Sequence, residues 1–214
     1  MSVQRRRVEL LEKNKPRQDR AKKTYERILC AAAELLVEVG VERISTNLIA
    51  ERAQITVPAL YRYFPNKYSV LHALGARLMD AQNQVLQQWF DKNTGHSSPD
   101  RMLDDIFDLL WATYEVTLSH SGGLEIIQAL RAVGPLQEVR LNSHKLMANQ
   151  FADSLAELLQ RPKDKALELA ARISIDMGYA VMEMALEDSS LSPRATLEEG
   201  ARMLRLYWLD SLKL

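Results

Sequence analysis

The chain has 214 residues, of which 47% are hydrophobic and 26% charged, and its formal net charge is zero. These values are ordinary for a globular protein and exclude a disordered, collagen-like or disulfide-stapled chain. The one cysteine, Cys30, cannot form an internal disulfide. The sequence contains no run of 18 apolar residues, and its first residues lack the apolar segment of a signal peptide. We therefore expect a cytoplasmic protein with no membrane partner.

Charge is distributed unevenly along the chain. Residues 1–67 hold 14 Lys and Arg against 8 Asp and Glu, a net of +6, whereas residues 68–214 have a net of −6. Residues 1–23 alone account for a net of +6. A cationic module on an anionic body is typical of a protein with an acidic partner such as nucleic acid, although a solvated basic tail would give the same balance.

Helical periodicity extends over almost all of the chain after residue 23, and no sustained strand-type alternation is present. Residues 1–23 are predicted to be a mobile arm or a frayed helix. Glycines and prolines between the periodic segments divide the remainder into nine predicted helices. Their approximate ranges are 24–39, 45–53, 57–63, 67–92, 99–119, 124–132, 135–161, 163–189 and 193–214.

Residues 45–63 have the layout of a helix-turn-helix. Ser45 and Thr56 are good N-caps for two short helices that are separated by a tight turn. Because Pro58 has no N–H, we expect the Thr56 hydroxyl to accept a hydrogen bond from the amide of Ala59. This spacing alone fits either a pair of helices that reads DNA or an ordinary αα-corner.

Three stretches resemble the TetR (tetracycline-repressor) family of transcriptional regulators. Residues 25–40 resemble the family's first helix, and residues 49–53 resemble its second. The family's most distinctive run is matched by Leu60-Tyr61-Arg62-Tyr63-Phe64-Pro65-Asn66-Lys67, followed by Leu71. The resemblance covers about residues 24–75, and the rest of the chain matches only in general form.

The resemblance implies an all-α fold with an N-terminal three-helix helix-turn-helix DNA-binding domain and a C-terminal six-helix domain for ligand binding and dimerisation. The predicted division is a basic arm at 1–23, the DNA-binding domain at 24–67 and the effector-binding and dimerisation domain at 68–214. The implied function is a ligand-responsive regulator of transcription, a repressor. It would bind a palindromic operator in double-stranded DNA as a homodimer and be released by a small apolar or amphipathic effector.

The same resemblance assigns DNA contacts to individual residues. The start of the second helix would hold a backbone phosphate, and the tip of the third would enter the major groove. Only Thr56 gives that tip a side-chain donor, so we expect readout of thymine methyl groups and DNA shape. Phe64 is expected to lie in the core. The predicted DNA-binding residues are Ser45, Thr46, Asn47, Thr56, Val57, Pro58, Ala59, Tyr61, Arg62, Tyr63 and Lys67.

Two departures from the family pattern are present. Gln54 stands where a glycine is usual, so a left-handed turn there would cost about 1–2 kcal/mol more. Val57-Pro58-Ala59 replaces a more polar pattern, which affects the expected base contacts and leaves the fold prediction unchanged.

The last two predicted helices are candidates for a dimer interface. The helix at 163–189 is apolar nearly all round, and Ala171, Ser174 and Gly178 form a stripe of small residues that would let helices approach closely. Two such helices from each subunit make a four-helix interface plausible, although the same residues could instead fill a monomer core.

Aromatic and methionine side chains at helical spacing predict a hydrophobic ligand pocket in the C-terminal domain. Such stripes also occur in ordinary cores, so the spacing leaves both interpretations open. The predicted ligand-binding residues are Phe107, Trp111, Tyr114, Met147, Phe151 and Met177.

No cofactor, metal site or enzymatic activity is predicted. The four histidines never pair at i, i+4 with each other, and the chain has one cysteine. A glycine-rich phosphate loop and a nucleophile elbow are both missing from the sequence. The alternative function is a DNA-bound adaptor whose C-terminal domain binds a protein partner and no small molecule. A cavity of a few hundred Å³ in that domain would favour the ligand sensor.

Overall fold

The computed structural model describes residues 10, 12, 18–93 and 99–212, apart from the side chains of residues 99 and 100. This part of the chain contains helices and no strand, which confirms the all-α prediction. A 3₁₀ turn, Gly134–Leu136, precedes α8. The helices are α1 (Asp19–Arg43), α2 (Thr46–Arg52), α3 (Val57–Tyr61), α4 (Lys67–Asn93), α5 (Pro99–Asp104), α6 (Ile106–Ser119), α7 (Gly123–Ala132), α8 (Gln137–Leu158), α9 (Lys165–Glu187) and α10 (Pro193–Leu212).

The chain divides into two compact units. The first contains Met1–Met79 and His120–Arg140, and the second contains Asp80–Ser119 and Leu141–Leu214. This division differs from the boundary after residue 67 that the sequence suggested, because α7 packs against α1 in the first unit. The assignment of function to domains stays a prediction.

Helix α1 shows why its sequence forms a long amphipathic helix. Its buried face includes Ile28 and Leu36, and the regular helix ends at Gly40, whose φ of 74° is left-handed. A glycine adopts this conformation without the steric cost of a Cβ, and the regular helix ends where the predicted range 24–39 does. The helix begins at Asp19, so the last five residues of the predicted arm are helical, and most of that arm lies outside the described residues.

The prediction of one helix over 99–119 is wrong. The segment forms α5 and α6, with a break at Asp105. Trp89 Nε1 donates a hydrogen bond to the carbonyl oxygen of Asp105 at 2.9 Å, and the Asp105 amide donates to Met102 O at 3.3 Å. This i to i−3 bond tightens the turn, so the C-terminal region has one helix more than predicted.

Two helix ends in the second unit are fixed by local hydrogen bonds. Asp164 caps α9 by accepting from the amide of Leu167 at 2.8 Å. Ser192 caps α10 by accepting from the amide of Ala195 at 3.4 Å. Of the helices described, none has both the length and the apolar character needed to cross a membrane.

Candidate DNA interface and ligand cavity

Side-chain caps fix the starts of both short helices in the first unit. Ser45 Oγ accepts from the Leu48 amide at 3.3 Å, and Thr56 Oγ1 accepts from the Ala59 amide at 3.3 Å. Both predicted caps are therefore confirmed, including the partner that Pro58 dictates. Each cap contributes about 1 kcal/mol to the stability of its helix.

Small and branched apolar side chains hold α2 against α3. Ile49 and Leu60 are fully buried, as is Ala50, whose small side chain permits close approach. Phe64 is also fully buried, as predicted, and its ring stacks on Tyr25 with centroids 5.3 Å apart. The helix pair is thus a rigid support for the residues on its outer surface.

Two hydroxyl groups meet on that outer surface. Thr46 Oγ1, at the start of α2, and Tyr61 Oη, at the end of α3, lie 3.1 Å apart. Tyr61 is exposed, so both hydroxyls can reach a group that approaches from solvent. Hydroxyls beside a helix N-terminus are typical ligands of a DNA backbone phosphate.

The turn between α2 and α3 has the left-handed residue that the sequence suggested. Gln54 has φ of 52°, its amide donates to Glu51 O and the amide of Ile55 donates to Ala50 O, both at 2.9 Å. These two bonds form a Schellman motif, which usually has glycine at this position. Arg27 donates to the Gln54 carbonyl at 3.2 Å and holds the turn against α1.

Most of the positive charge between residues 24 and 67 is used within the protein. Arg52 pairs with Glu38 at 2.6 Å and with Glu34 at 3.2 Å, which joins α2 to α1. Its hydrogen bond holds the pKa of the Glu38 carboxyl below the usual value. Arg43 donates to a carbonyl of its own helix. The basic side chain of α2, Arg52, is therefore already paired with carboxylates of the protein.

The ammonium group of Lys67 is bound within the protein, whereas a phosphate contact would need it to face the DNA. Its Nζ donates to the carbonyl oxygens of Val41, Glu42 and Ile44 at 3.1, 3.1 and 3.0 Å. All three N–H groups of the ammonium are thus directed at the end of α1. The side chain fixes the junction between α1 and α4, which supports the helix pair indirectly.

The remaining predicted DNA residues differ in exposure. Tyr63 is half-buried, with its ring edge against Tyr25 at a centroid distance of 6.3 Å. Burial, and then the hydrogen bond to Glu12, raises the pKa of Tyr25. The half-buried positions also include Ser45, Thr46, Val57 and Ala59, and the exposed ones are Asn47, Thr56, Pro58, Tyr61 and Arg62.

The second unit contains an apolar cavity. The space between its lining residues, counted out to the mouth, is about 670 Å³. Four lining residues are polar: Gln82, Thr113, Ser174 and Tyr179. The apolar lining residues are Leu86, Trp89, Ile106, Leu109, Leu110, Phe151, Ile175, Gly178, Met182, Leu204 and Trp208.

Of the six predicted ligand residues, Phe151 lines this cavity. Phe107, Trp111 and Tyr114 form a half-buried ladder on the adjacent face of α6, with successive ring centroids 6.0 and 5.6 Å apart. Met147 is buried and Met177 is half-buried, and neither belongs to the lining. The ligand assignment of these residues stays a prediction.

Sequence reasoning missed Gln82, which is 1% exposed. Its position on α4 lies in a stripe of buried apolar residues that includes Leu78, Leu86 and Trp89. A polar residue inside such a stripe is the signal that could have identified it, because buried polar side chains need hydrogen-bond partners.

Charged and polar groups also lie next to the cavity. The ring of Tyr179 stacks on that of His144 with centroids 4.0 Å apart, and His144 Nδ1 lies 2.6 Å from Asp176 Oδ1. Burial, and then the charges of Glu183 and Asp176, raises the pKa of the Tyr179 phenol. Among the described residues, no group of three or more His, Cys, Asp or Glu could hold a metal ion.

Comparison with known proteins places these features in a family. The family model "Bacterial regulatory proteins, tetR family" matches residues 28–74, which contain the capped helix pair. This segment of the chain is thus similar to the DNA-binding part of TetR-family regulators. Tetracycline repressor protein class A from transposon 1721 of Escherichia coli is 46% identical over 58 residues, which are 27% of this chain and 26% of that protein. The chain thus matches about a quarter of the length of that relative.

Two further proteins match along most of the chain. The HTH-type transcriptional regulator UidR of Escherichia coli K12 is 23% identical over 190 residues, 87% of this chain and 93% of UidR. A TetR-family transcriptional regulator from Streptomyces coelicolor has a TM-score of 0.58 and 22% identity, and the match covers 86% of this chain and 97% of that one. This structural likeness confirms the fold that the sequence predicted.

Proposed function

We propose that this chain is a ligand-responsive TetR-family repressor of transcription that binds a palindromic operator as a homodimer. The observation that carries the proposal is the capped α2–α3 pair, which presents the hydroxyls of Thr46 and Tyr61 together at one end. A helix-turn-helix of this kind enters the major groove with its second helix.

The DNA contacts follow from the exposed positions of the pair. Thr46 and Tyr61 bind one backbone phosphate, and Asn47 and Arg62 bind a base edge or a neighbouring phosphate. At the tip of α3, Pro58 and its neighbours contact thymine methyl groups and sense groove shape. Lys67 takes the role of a positioning residue, because its ammonium holds the end of α1.

The homodimer forms through α9 and α10. The two helices bury one face in the second unit yet leave large apolar side chains in solvent on another. On α9 these include Leu169 and Ile173, which are 61% and 41% exposed, and on α10 they include Met203 and Leu206, both 50% exposed. A filled monomer core explains only the buried face, whereas a symmetric interface between two copies also uses the exposed one.

A small apolar or amphipathic effector binds in the cavity of the second unit. Its lining is mostly apolar with a few polar side chains, as in ligand pockets, and this supports the ligand sensor over an adaptor that binds only protein. Helix α4 has residues in both compact units. A ligand that displaces the second half of this helix therefore also acts on the first unit. Release follows if the ligand prefers a state in which the two recognition helices depart from a spacing of about 34–36 Å.

Selection of duplex DNA from a random library tests this proposal. The purified chain and a Tyr61→Ala variant are each taken through selection at two salt concentrations. We expect the wild type to enrich one palindrome and the variant to enrich it weakly or not at all. Tyr114→Ala, which removes a half-buried tyrosine of α6, is the matched control and should enrich the same palindrome. Recovery of sequence-blind, salt-sensitive binding alone would contradict specific readout.

A further inference from the structure

Gln82 is a buried polar residue in the lining of an otherwise apolar cavity. Its Nε2 lies 2.8 Å from Thr117 Oγ1, which is also fully buried. Thr117 Oγ1 lies 2.7 Å from Thr113 O and 3.7 Å from Met182 Sδ. These contacts decide which way the glutamine amide is turned.

A threonine hydroxyl has one proton to donate. Its 2.7 Å distance to the Thr113 carbonyl oxygen is that of an O–H···O hydrogen bond, and a carbonyl oxygen can only accept, so the Thr117 proton is directed at Thr113 O. The hydroxyl must therefore accept from Gln82, and the amide atom that faces it must be the NH₂ group. The Gln82 carbonyl oxygen, Oε1, consequently lies on the other side of the amide.

Oε1 is buried and receives no hydrogen bond from any residue that the structure describes. An unpaired buried acceptor is costly, because it has lost its hydrogen bonds to water without replacement. A ligand that donates a hydrogen bond to it gains more than the same bond would give in water. The oxygen is thus suited to select a ligand with a proton to donate.

Two other polar side chains of the lining also offer acceptors. Thr113 Oγ1 donates to Leu109 O at 2.8 Å, and Ser174 Oγ donates to Ala170 O at 2.9 Å. Each hydroxyl proton is therefore used within its own helix, and lone pairs remain for a ligand. A carboxylate ligand would bring its negative charge towards these oxygens and be disfavoured.

We propose that the cavity binds a neutral, mainly apolar molecule with a hydroxyl or N–H group, and that Gln82 Oε1 accepts its proton. This inference rests on the proposed effector function of the cavity and adds the class of ligand. Thr117 is a positioning residue, since it holds the amide in the orientation that presents the acceptor.

Two isomers, 1-octanol and 1-methoxyheptane, test the proposal, because they have the same composition and differ in whether the oxygen carries a proton. Binding to the full chain is followed by tryptophan fluorescence, since Trp89 and Trp208 line the cavity. We expect the wild type to bind 1-octanol about tenfold more tightly than the ether. Gln82→Met, which keeps the length of the side chain and removes the acceptor, should bind both isomers equally.

A second variant separates recognition from folding. Thr117→Val keeps the shape of that side chain and removes its acceptor oxygen, so the Gln82 amide can turn and the preference for the alcohol should fall. Equal affinity of the wild type for both isomers would overturn the role of Gln82 and leave the effector cavity intact. Binding of neither isomer would overturn both, while binding of the same preparation to DNA shows that the chain is folded.

Discussion

Replacement of Gln54 by glycine should stabilise the protein. Gln54 is exposed and has φ of 52°, where any residue other than glycine is strained by its Cβ. The Schellman bonds are donated by the main-chain amides of Gln54 and Ile55, and Arg27 donates to the main-chain carbonyl of Gln54, so glycine retains all three. The substitution therefore changes the backbone preference and leaves these contacts in place.

The magnitude follows from two opposing contributions. Removal of the strain favours the folded state by about 1–2 kcal/mol. Glycine also gives the unfolded chain more conformational freedom, which costs about 0.4–1 kcal/mol. We expect a net increase in the free energy of unfolding of about 0.5–1 kcal/mol, which corresponds to a rise in Tm of about 1–4 °C for a protein of this size.

Urea unfolding followed by far-UV circular dichroism measures the change, because the tryptophans all lie in the other compact unit. Gln160→Gly, at φ of 50° after α8, should stabilise by a similar amount. Gln84→Gly, in the interior of α4, should instead destabilise by about 1 kcal/mol. Destabilisation by Gln54→Gly equal to that of Gln84→Gly would refute the argument from the left-handed backbone.

Three further changes give expected outcomes for binding and assembly. Residues 1–9 hold three arginines, and their deletion should reduce the slope of log affinity for DNA against log salt concentration by up to about 3. An unchanged slope would show that this part of the arm makes no phosphate contact. Lys67→Met should lower the free energy of unfolding by about 2 kcal/mol and leave that slope unaltered, because the ammonium is bound to carbonyls. Met203→Glu should weaken dimerisation at least about tenfold in sedimentation equilibrium, since burial of a charge in the interface costs more than about 1.4 kcal/mol. Leu118→Glu, at an exposed apolar residue of α6, should not weaken dimerisation, and equal effects of the two variants would count against the α9–α10 interface.

Local features of the chain were predictable because their causes are local. Ser45 and Thr56 cap the helices that begin immediately after them, and Gly40 ends the regular part of α1. The left-handed turn at Gln54 could also be expected, although from the family pattern and not from the residue itself. In each case the deciding hydrogen bond or backbone angle lies within a few residues of the sequence signal.

Features that depend on distant contacts could not be predicted in this way. The break at Asp105 involves a hydrogen bond from Trp89, and the position of Lys67 depends on carbonyls of α1 more than 20 residues away. On α6 the aromatic stripe of Trp111 was the stronger sequence signal, yet the cavity uses the adjacent face with Leu110 and Thr113. Periodicity identifies an apolar face, but packing decides which face encloses a cavity.

The central claim is that the α2–α3 surface reads a specific DNA sequence. Equilibrium DNA binding tests it most directly. Affinities for the selected palindrome and for a scrambled duplex are measured at two salt concentrations, with the wild type and with a Thr46→Ala, Tyr61→Phe double variant. We expect the wild type to prefer the palindrome at least about 1,000-fold, and the variant to lose affinity for it. Equal affinity of the wild type for both duplexes, or a variant that binds the palindrome as tightly as the wild type, would contradict the account.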